Sequence, residues 1–307
     1  MRNVPPPNYE YKIEELMKHY KKAALQIKRE LEELAYNGLT AANSRVALAH
    51  ISEVLANLND EAKNWVEANI PLVAREGAAA TLYTLGLAKT LDEALTIVKF
   101  NKINETMVKA VIADTYQDCV AITQNMDRKS RAAVRKAVGD TMREQYAQGI
   151  NGQRTIRREM LVKFKENLGS ALDSAIVDAA GRTWKAETYI RMVAAEKMNQ
   201  AHMEAMLNDA LDRGAYYGVI SSHGATDACR YHEGRIVKLI ADAEGNYPTI
   251  DELKATHQIF HVRCKHLVSP IRQLDRLPDS VREKAQKQDE IGRKALAAGG
   301  RNPKIEV

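Results

Sequence analysis

Histidines and cysteines concentrate near the C-terminal end of the 307-residue chain. Five of the eight histidines and two of the three cysteines lie within residues 223–266. Two pairs share a two-residue gap, Cys229 with His232 and His261 with Cys264. Such a gap lets a tight turn present two donor atoms to one ion, and two such turns supply four ligands. The spacing therefore predicts a tetrahedral zinc site, which would be structural because no coordination position stays open.

The same residues have two other interpretations. A histidine in a small domain often hydrogen-bonds to a loop carbonyl and a cysteine often fills a gap in an apolar core, so a metal-free core is one alternative. A zinc-dependent hydrolase is the other, with Glu233 as a nearby base, although nothing in the sequence fixes that carboxylate. The chain also has no glycine-rich phosphate loop, Gly-x-Ser-x-Gly motif or His-Glu-x-x-His motif. We therefore expect a protein without catalytic residues.

The elements that precede this cluster are predicted to be long helices. Glycine and proline together number 24 residues, a smaller share than the roughly 12% that is average. Apolar residues over 13–34 recur at steps of three and four, which predicts an amphipathic helix that the Asn-Gly pair at 37–38 ends. Thr40 is the predicted N-cap of a second helix, and Asp60 that of a third, which bends or ends near Pro71.

The character of the sequence changes after Gly214. A last long helix is predicted over 178–213, whereas residues 216–220 and 235–240 have the composition of short strands, and 267–268 of a third. We expect a mainly α protein with three parts: a helical region over 1–213, a small α+β module over 214–272 and a basic helical tail over 273–307.

Basic residues are in excess at the C-terminal end. The net charge of the chain is +5, and residues 263–307 alone hold 11 Lys and Arg against 6 Asp and Glu. Basic residues in such excess can bind along the phosphate backbone of a nucleic acid. A solvated helix surface rich in Lys and Arg is the simpler interpretation. The candidate DNA-binding residues are Arg272, Arg276, Arg282, Lys284, Lys287, Arg293 and Lys294. A glycine-containing turn at 149–152 between two basic segments is also compatible with a DNA-binding helix-turn-helix motif, but helix pairs of this kind are common.

Nothing in the sequence predicts a membrane segment. The longest uncharged apolar stretch of note, over 77–88, has twelve residues, and a membrane span needs about 20. Three cysteines cannot all pair within one chain, which favours synthesis in a reducing cytoplasm.

Five short blocks resemble, in order, those of the tailed-phage minor capsid protein 2 family. They are Asp178-Ala-Ala-Gly-Arg-Thr-Trp184, Ile220-Ser-Ser-His-Gly-Ala225, Gly234-Arg-Ile-Val237, Tyr247-Pro248 and Val262-Arg-Cys-Lys-His266. The wider Mu F-like head morphogenesis superfamily has a similar pattern, matched here by Asp227, Cys229, Gly234, His261 and Cys264. The sequence departs from the family in having Val262 where Asn is usual, Lys265 where Arg is usual, and no tryptophan shortly before Gly234.

The resemblance implies a non-enzymatic minor head protein of a tailed bacteriophage. Such proteins are encoded beside the portal, bind the portal protein during head assembly, are packaged inside the capsid in few copies and help DNA leave the virion. We expect the helical half to supply the portal contact, with scaffolding protein, major capsid protein and packaged DNA as further candidate partners. The protein would be made in the host cytoplasm and end in the capsid interior. The alternative function is that of a nonspecific DNA-binding internal virion protein.

Overall fold

A computed structural model of the chain describes residues 4–148, 176–177, 183–261 and 264–305. The described residues form seven α-helices: α1 Glu10–Asn37, α2 Ala41–Thr84, α3 Leu91–Ile97, α4 Lys102–Gln148, α5 Ala186–Asp212, α6 Ile250–Ala255 and α7 Asp279–Ala298. They also form five strands: β1 Ile176–Val177, β2 Thr183–Trp184, β3 Tyr217–Ile220, β4 Ile236–Lys238 and β5 Val268–Ile271. The expected mainly α fold with a small C-terminal α+β part is confirmed.

Helix α1 follows the apolar periodicity of its sequence. The predicted stripe from Ile13 to Leu34 is buried, and the helix ends at Asn37. Gly38 follows with φ of 99°, a left-handed conformation that glycine adopts without steric cost. The hydroxyl of Thr40 then accepts a hydrogen bond from the backbone N–H of Asn43 at 3.1 Å, so the predicted N-cap of α2 is confirmed.

Helix α2 runs through Pro71 without ending, so the predicted third helix from Asp60 is wrong as a separate element. Proline inside a helix removes one hydrogen bond and costs about 3 kcal/mol. The residues on either side offset this cost because Ile70, Val73 and Ala74 are fully buried. Tertiary packing here outweighs a local helix-breaking signal.

Helix α5 begins later than its periodicity predicts. Residues 183–184 form strand β2, which pairs antiparallel with β1, with Ile176 opposite Trp184. Threonine and tryptophan favour extended backbone, and the helix starts only at Ala186. The predicted turn at 149–152 lies outside the described residues.

The chain forms two compact units, each built from segments that are distant in the sequence. One unit comprises residues 10–67 and 113–194. Its core includes Tyr20 of α1 and Cys119 of α4, and the tyrosine hydroxyl donates to the Cys119 carbonyl at 3.3 Å. Cys119 is fully buried, as expected for a cysteine on an apolar helix stripe.

The other unit comprises residues 1–9, 68–112 and 195–307. Within it, Gly77 lies so close to the backbone of His202 that an added Cβ would be 2.0 Å from the His202 carbonyl oxygen. The hydroxyl of Thr81 donates to the Met206 carbonyl at 2.7 Å, and the Asn104 amide donates to the Ala205 carbonyl at 3.2 Å. Small residues and these side-chain hydrogen bonds hold this half of α2 and the start of α4 against α5.

The C-terminal sheet has the strand order β4-β3-β5, with both pairs antiparallel. The two strands predicted around 216–220 and 235–240 are confirmed, and the third continues from Val268 through Pro270 to Ile271. Proline is tolerated because β5 lies at an edge of the sheet, where an N–H is not needed for a further strand.

Helix α7 packs on this sheet over a buried arginine. Arg235 is 1% exposed and donates from Nε and Nη2 to Oδ1 of Asp289, at 3.1 and 2.6 Å. Gly292, one turn further along α7, makes room for the guanidinium group, since an added Cβ would lie 2.4 Å from its Nη1. The contact therefore requires glycine at this position of the helix.

Candidate functional site

A short 3-10 helix, Ala228–Tyr231, presents the first thiol of the Cys/His cluster. Asp227 caps it by accepting a hydrogen bond from the backbone N–H of Cys229 at 3.1 Å. Cys229 is 2% exposed and belongs to an apolar cluster with Ile220 and Val268 among its members. The thiol is therefore held at the boundary between the core and the loops.

The second part of the cluster lies between α6 and β5. The backbone N–H of Cys264 donates to the His261 carbonyl at 2.8 Å, which closes the turn of this two-residue gap. The Sγ of Cys264 lies 3.8 Å from the Sγ of Cys229, and Nε2 of His261 lies 3.1 Å from that same Cys229 Sγ. Three of the four predicted ligands, Cys229, His261 and Cys264, are thus brought together.

The structure places the fourth predicted ligand, His232, elsewhere. Its ring is fully buried, with Nε2 3.0 Å from the Gln258 amide oxygen and Nδ1 2.9 Å from Nη1 of Arg235. The Gln258 amide nitrogen in turn donates to the Ala295 and Gly300 carbonyls, both at 3.0 Å. Burial lowers the pKa of His232 to about 4, so this histidine is neutral and both its ring nitrogens are occupied in a core network.

His266 takes the position near the thiols. Its Nδ1 lies 3.2 Å from the Sγ of Cys264, and its Nε2 lies 3.1 Å from Oε1 of Glu233. Burial opposes the charged form of His266, but hydrogen bonds to Cys264 and Glu233 raise the pKa above its usual range. Sequence spacing alone gave no means to choose His266 over His232, because the choice depends on Glu233 and Gln258.

Glu233, which no sequence feature fixed, is anchored by the backbone. Its Oε1 accepts hydrogen bonds from the backbone N–H groups of His223 and Ala225, each at 3.0 Å. Burial raises the pKa of this carboxyl. The hydrogen bonds from the two backbone N–H groups and from His266 lower the pKa by more than burial raises it, so the pKa lies below the ordinary value. The His223 ring also stacks on His266, with ring centroids 4.2 Å apart. Glu233 is therefore an ionised, oriented acceptor for the His266 ring.

Two kinds of chemistry fit these groups. Two thiols and two imidazoles can hold a metal ion, and Glu233 lies 3.1 Å from the ring nitrogen of His266 that faces away from Cys264, the position of an outer carboxylate partner. Asp227 instead lies 3.2 Å from Nε2 of His261, the same nitrogen that faces Cys229. The order Cys264, His266 and Glu233 is also that of a thiol nucleophile, its base and an orienting carboxylate. A nucleophile needs free space on its attacking side, but the Cys229 thiol lies 3.8 Å from the Cys264 sulfur. The arrangement therefore favours metal binding.

The predicted DNA-binding residues lie on exposed surface, but several are already paired. Arg282 and Arg293 form ion pairs with Asp279 and Asp289 on α7 itself, and Arg272 donates to the Arg213 carbonyl. The remaining four make no ion pair with another residue of the described ranges. They are Arg276, Lys284, Lys287 and Lys294. Helix α7 holds five basic and four acidic residues, so it is close to neutral.

Comparison with known proteins identifies the family. A family model described as phage minor capsid protein 2 matches residues 41–297, which include most of both compact units. Searches of curated proteins and of solved structures found no match. Among the helices of the described ranges, none is both long and apolar enough to cross a membrane. The chain belongs to the phage minor capsid protein 2 family.

Proposed function

We propose that this phage minor capsid protein associates with the portal inside the head and acts in head assembly and DNA ejection. The family match over 257 consecutive positions, residues 41–297, is the observation that carries the proposal. The match makes the protein a phage capsid component. Apolar side chains exposed on the helical half support portal association, because they offer contacts to a partner.

Exposed apolar side chains support a partner on the helical half. Within the described ranges, eight of the nine large apolar side chains that are exposed lie between positions 11 and 103. The eight are Tyr11, Leu25, Tyr36, Val46, Leu72, Leu87, Ile97 and Ile103, and the ninth is Tyr216. Single exposed apolar side chains are common on protein surfaces, so the support comes from the concentration of eight of them in the first 103 residues. The C-terminal module offers much less of it, so the helical half is the proposed contact surface.

Protection from protease tests the interior location. In purified, sealed heads the chain should stay intact when a protease is added, because the closed shell excludes the enzyme. After the heads are opened, the same treatment should cleave it, as it cleaves the isolated protein. Immunoblotting of the two samples gives the readout, and an external tail protein that is cleaved in both serves as the control. Cleavage of this chain in sealed heads would place it outside and contradict the proposal.

Nonspecific DNA binding is the second candidate, supported by the unpaired lysines of α7. Since α7 packs on the sheet through Arg235, substitutions test the idea better than truncation does. Replacing Lys287 and Lys294 by Gln should weaken retention on DNA–cellulose and reduce the slope of log K against log salt by about 2 between about 50 and 200 mM salt.

A charge-matched control separates phosphate contact from general charge. The pair Arg282→Gln and Arg293→Gln removes the same two charges, but both arginines are already paired with aspartates on the same helix. We expect this control to change the salt slope by less than half as much. Equal effects of the two pairs, or no retention of the unmodified protein at low salt, would reject a DNA-binding role for this helix.

A further inference from the structure

We propose that Cys229, His261, Cys264 and His266 bind one structural zinc ion. This set keeps three of the residues that spacing predicts and replaces His232 by His266. It concerns the folding of the C-terminal module and does not depend on portal association.

The separation of the two sulfurs fits a shared ion. Zinc–thiolate bonds of about 2.3 Å at a tetrahedral angle place two sulfurs about 3.8 Å apart. The Sγ atoms of Cys229 and Cys264 lie 3.8 Å apart. A disulfide needs about 2.05 Å between sulfurs, so both thiols are free, and their separation fits two ligands of one metal as well as two thiols in van der Waals contact.

Three of the four proposed donor atoms lie close to one another. Donor atoms of Cys229, Cys264 and His266 are all within 4.8 Å of one another. Nε2 of His261 lies 3.1 Å from the Cys229 sulfur, and the turn closed by Cys264 N–H and the His261 carbonyl carries both donors toward Cys229. His261 stands in a separate group with Asp227 and Cys229, so its ring must turn away from Asp227 to become the fourth ligand.

Glu233 sets the ring of His266 for metal binding. In the neutral imidazole, a carboxylate that accepts the Nε2 proton leaves Nδ1 without a proton, with its lone pair directed toward the Cys264 sulfur. Histidine ligands of zinc usually donate their other nitrogen to such a carboxylate. Because backbone N–H groups of His223 and Ala225 hold Glu233 in place, the orientation exists before any ion binds.

The ion would add a direct link between two segments that already contact each other, since His261 pairs with Asp227 and Cys229 packs with Val268. One is the 3-10 helix Ala228–Tyr231, and the other is the segment that leads into β5. Four protein ligands leave no open position for a substrate, so the role is structural and not hydrolytic. The positive charge of the ion also balances the thiolates that it binds.

Metal analysis of the full-length protein tests the proposal. Protein purified under reducing conditions should contain about one zinc per chain, and cobalt substitution should give the intense visible absorption of a tetrahedral site with thiolate ligands. The Cys264→Ser variant should lose the bound metal, and its cobalt-substituted form should lose the thiolate charge-transfer band. Less than a tenth of an equivalent of zinc after reconstitution, with both thiols reactive, would overturn the proposal.

Two histidine variants separate the metal site from a general folding effect. His266→Gln should bind zinc at least tenfold more weakly, whereas His232→Gln should still bind one equivalent, because His232 contacts Gln258 and Arg235 instead. Glu233→Gln, which keeps every ligand, should weaken zinc binding by about 10- to 100-fold. Loss of zinc in His232→Gln with retention in His266→Gln would replace the proposed ligand set by the one that spacing predicts.

Discussion

Asp289→Ala is expected to lower the free energy of opening of the C-terminal module by about 3–5 kcal/mol. The carboxylate is the only acid among the described residues that pairs with the guanidinium of Arg235, which is 1% exposed. Without the Asp289 carboxylate, Arg235 would keep its charge in the core. Among the described residues, only the ring of His232 would remain as a side-chain hydrogen-bond partner of its guanidinium group. Breaking one half of a buried ion pair costs far more than the pair contributes as a whole, because the remaining charge stays desolvated.

Native-state hydrogen exchange of peptides from β4 and α7 measures this effect where it occurs. Asp279→Ala is the matched control, because it removes an aspartate from the same helix that pairs with Arg282 on the surface, where the Asp279 side chain is 82% exposed. Surface pairs contribute about 0–1 kcal/mol, so the control should change exchange little. If Asp289→Ala and Asp279→Ala have equal effects, Arg235 does not hold α7 on the sheet.

Local patterns predicted the elements of the fold where one strong periodic signal dominates. The stripe of α1, its end at Asn37 and the cap at Thr40 all follow from neighbours within four residues. The prediction of a separate third helix near Pro71 is wrong because buried neighbours, which only the folded structure brings together, offset the local cost of a proline inside a helix. The late start of α5 has a local cause instead, because Thr183 and Trp184 form β2, which pairs with β1 only a few residues upstream.

The candidate site shows the same limit. Spacing identified both thiols and His261, because each short turn is a local feature. The choice between His232 and His266 depends on acceptors that lie 26 and 33 residues away along the chain, Gln258 and Glu233. No pattern within a few residues reports such contacts, so spacing alone could not choose between the two histidines.

The second large effect concerns the portal. Replacing Leu87, Ile97 and Ile103 by serine should reduce portal binding by more than tenfold, because each apolar side chain buried at an interface contributes about 1.5–3 kcal/mol and 1.4 kcal/mol is a factor of ten. All three side chains are exposed and lie within the segment that the family model matches. Their replacement should leave the fold intact, which circular dichroism can verify.

Co-expression of the full-length chain with the portal protein of the same phage, followed by affinity capture of the portal, tests the central claim most directly. We expect the unmodified chain and the Tyr216→Ser variant, which changes an exposed apolar side chain of the C-terminal module, to be captured equally. The triple serine variant should be largely lost from the captured material. Absence of the unmodified chain from the captured portal would contradict portal association, and loss of capture by Tyr216→Ser alone would move the contact to the C-terminal module.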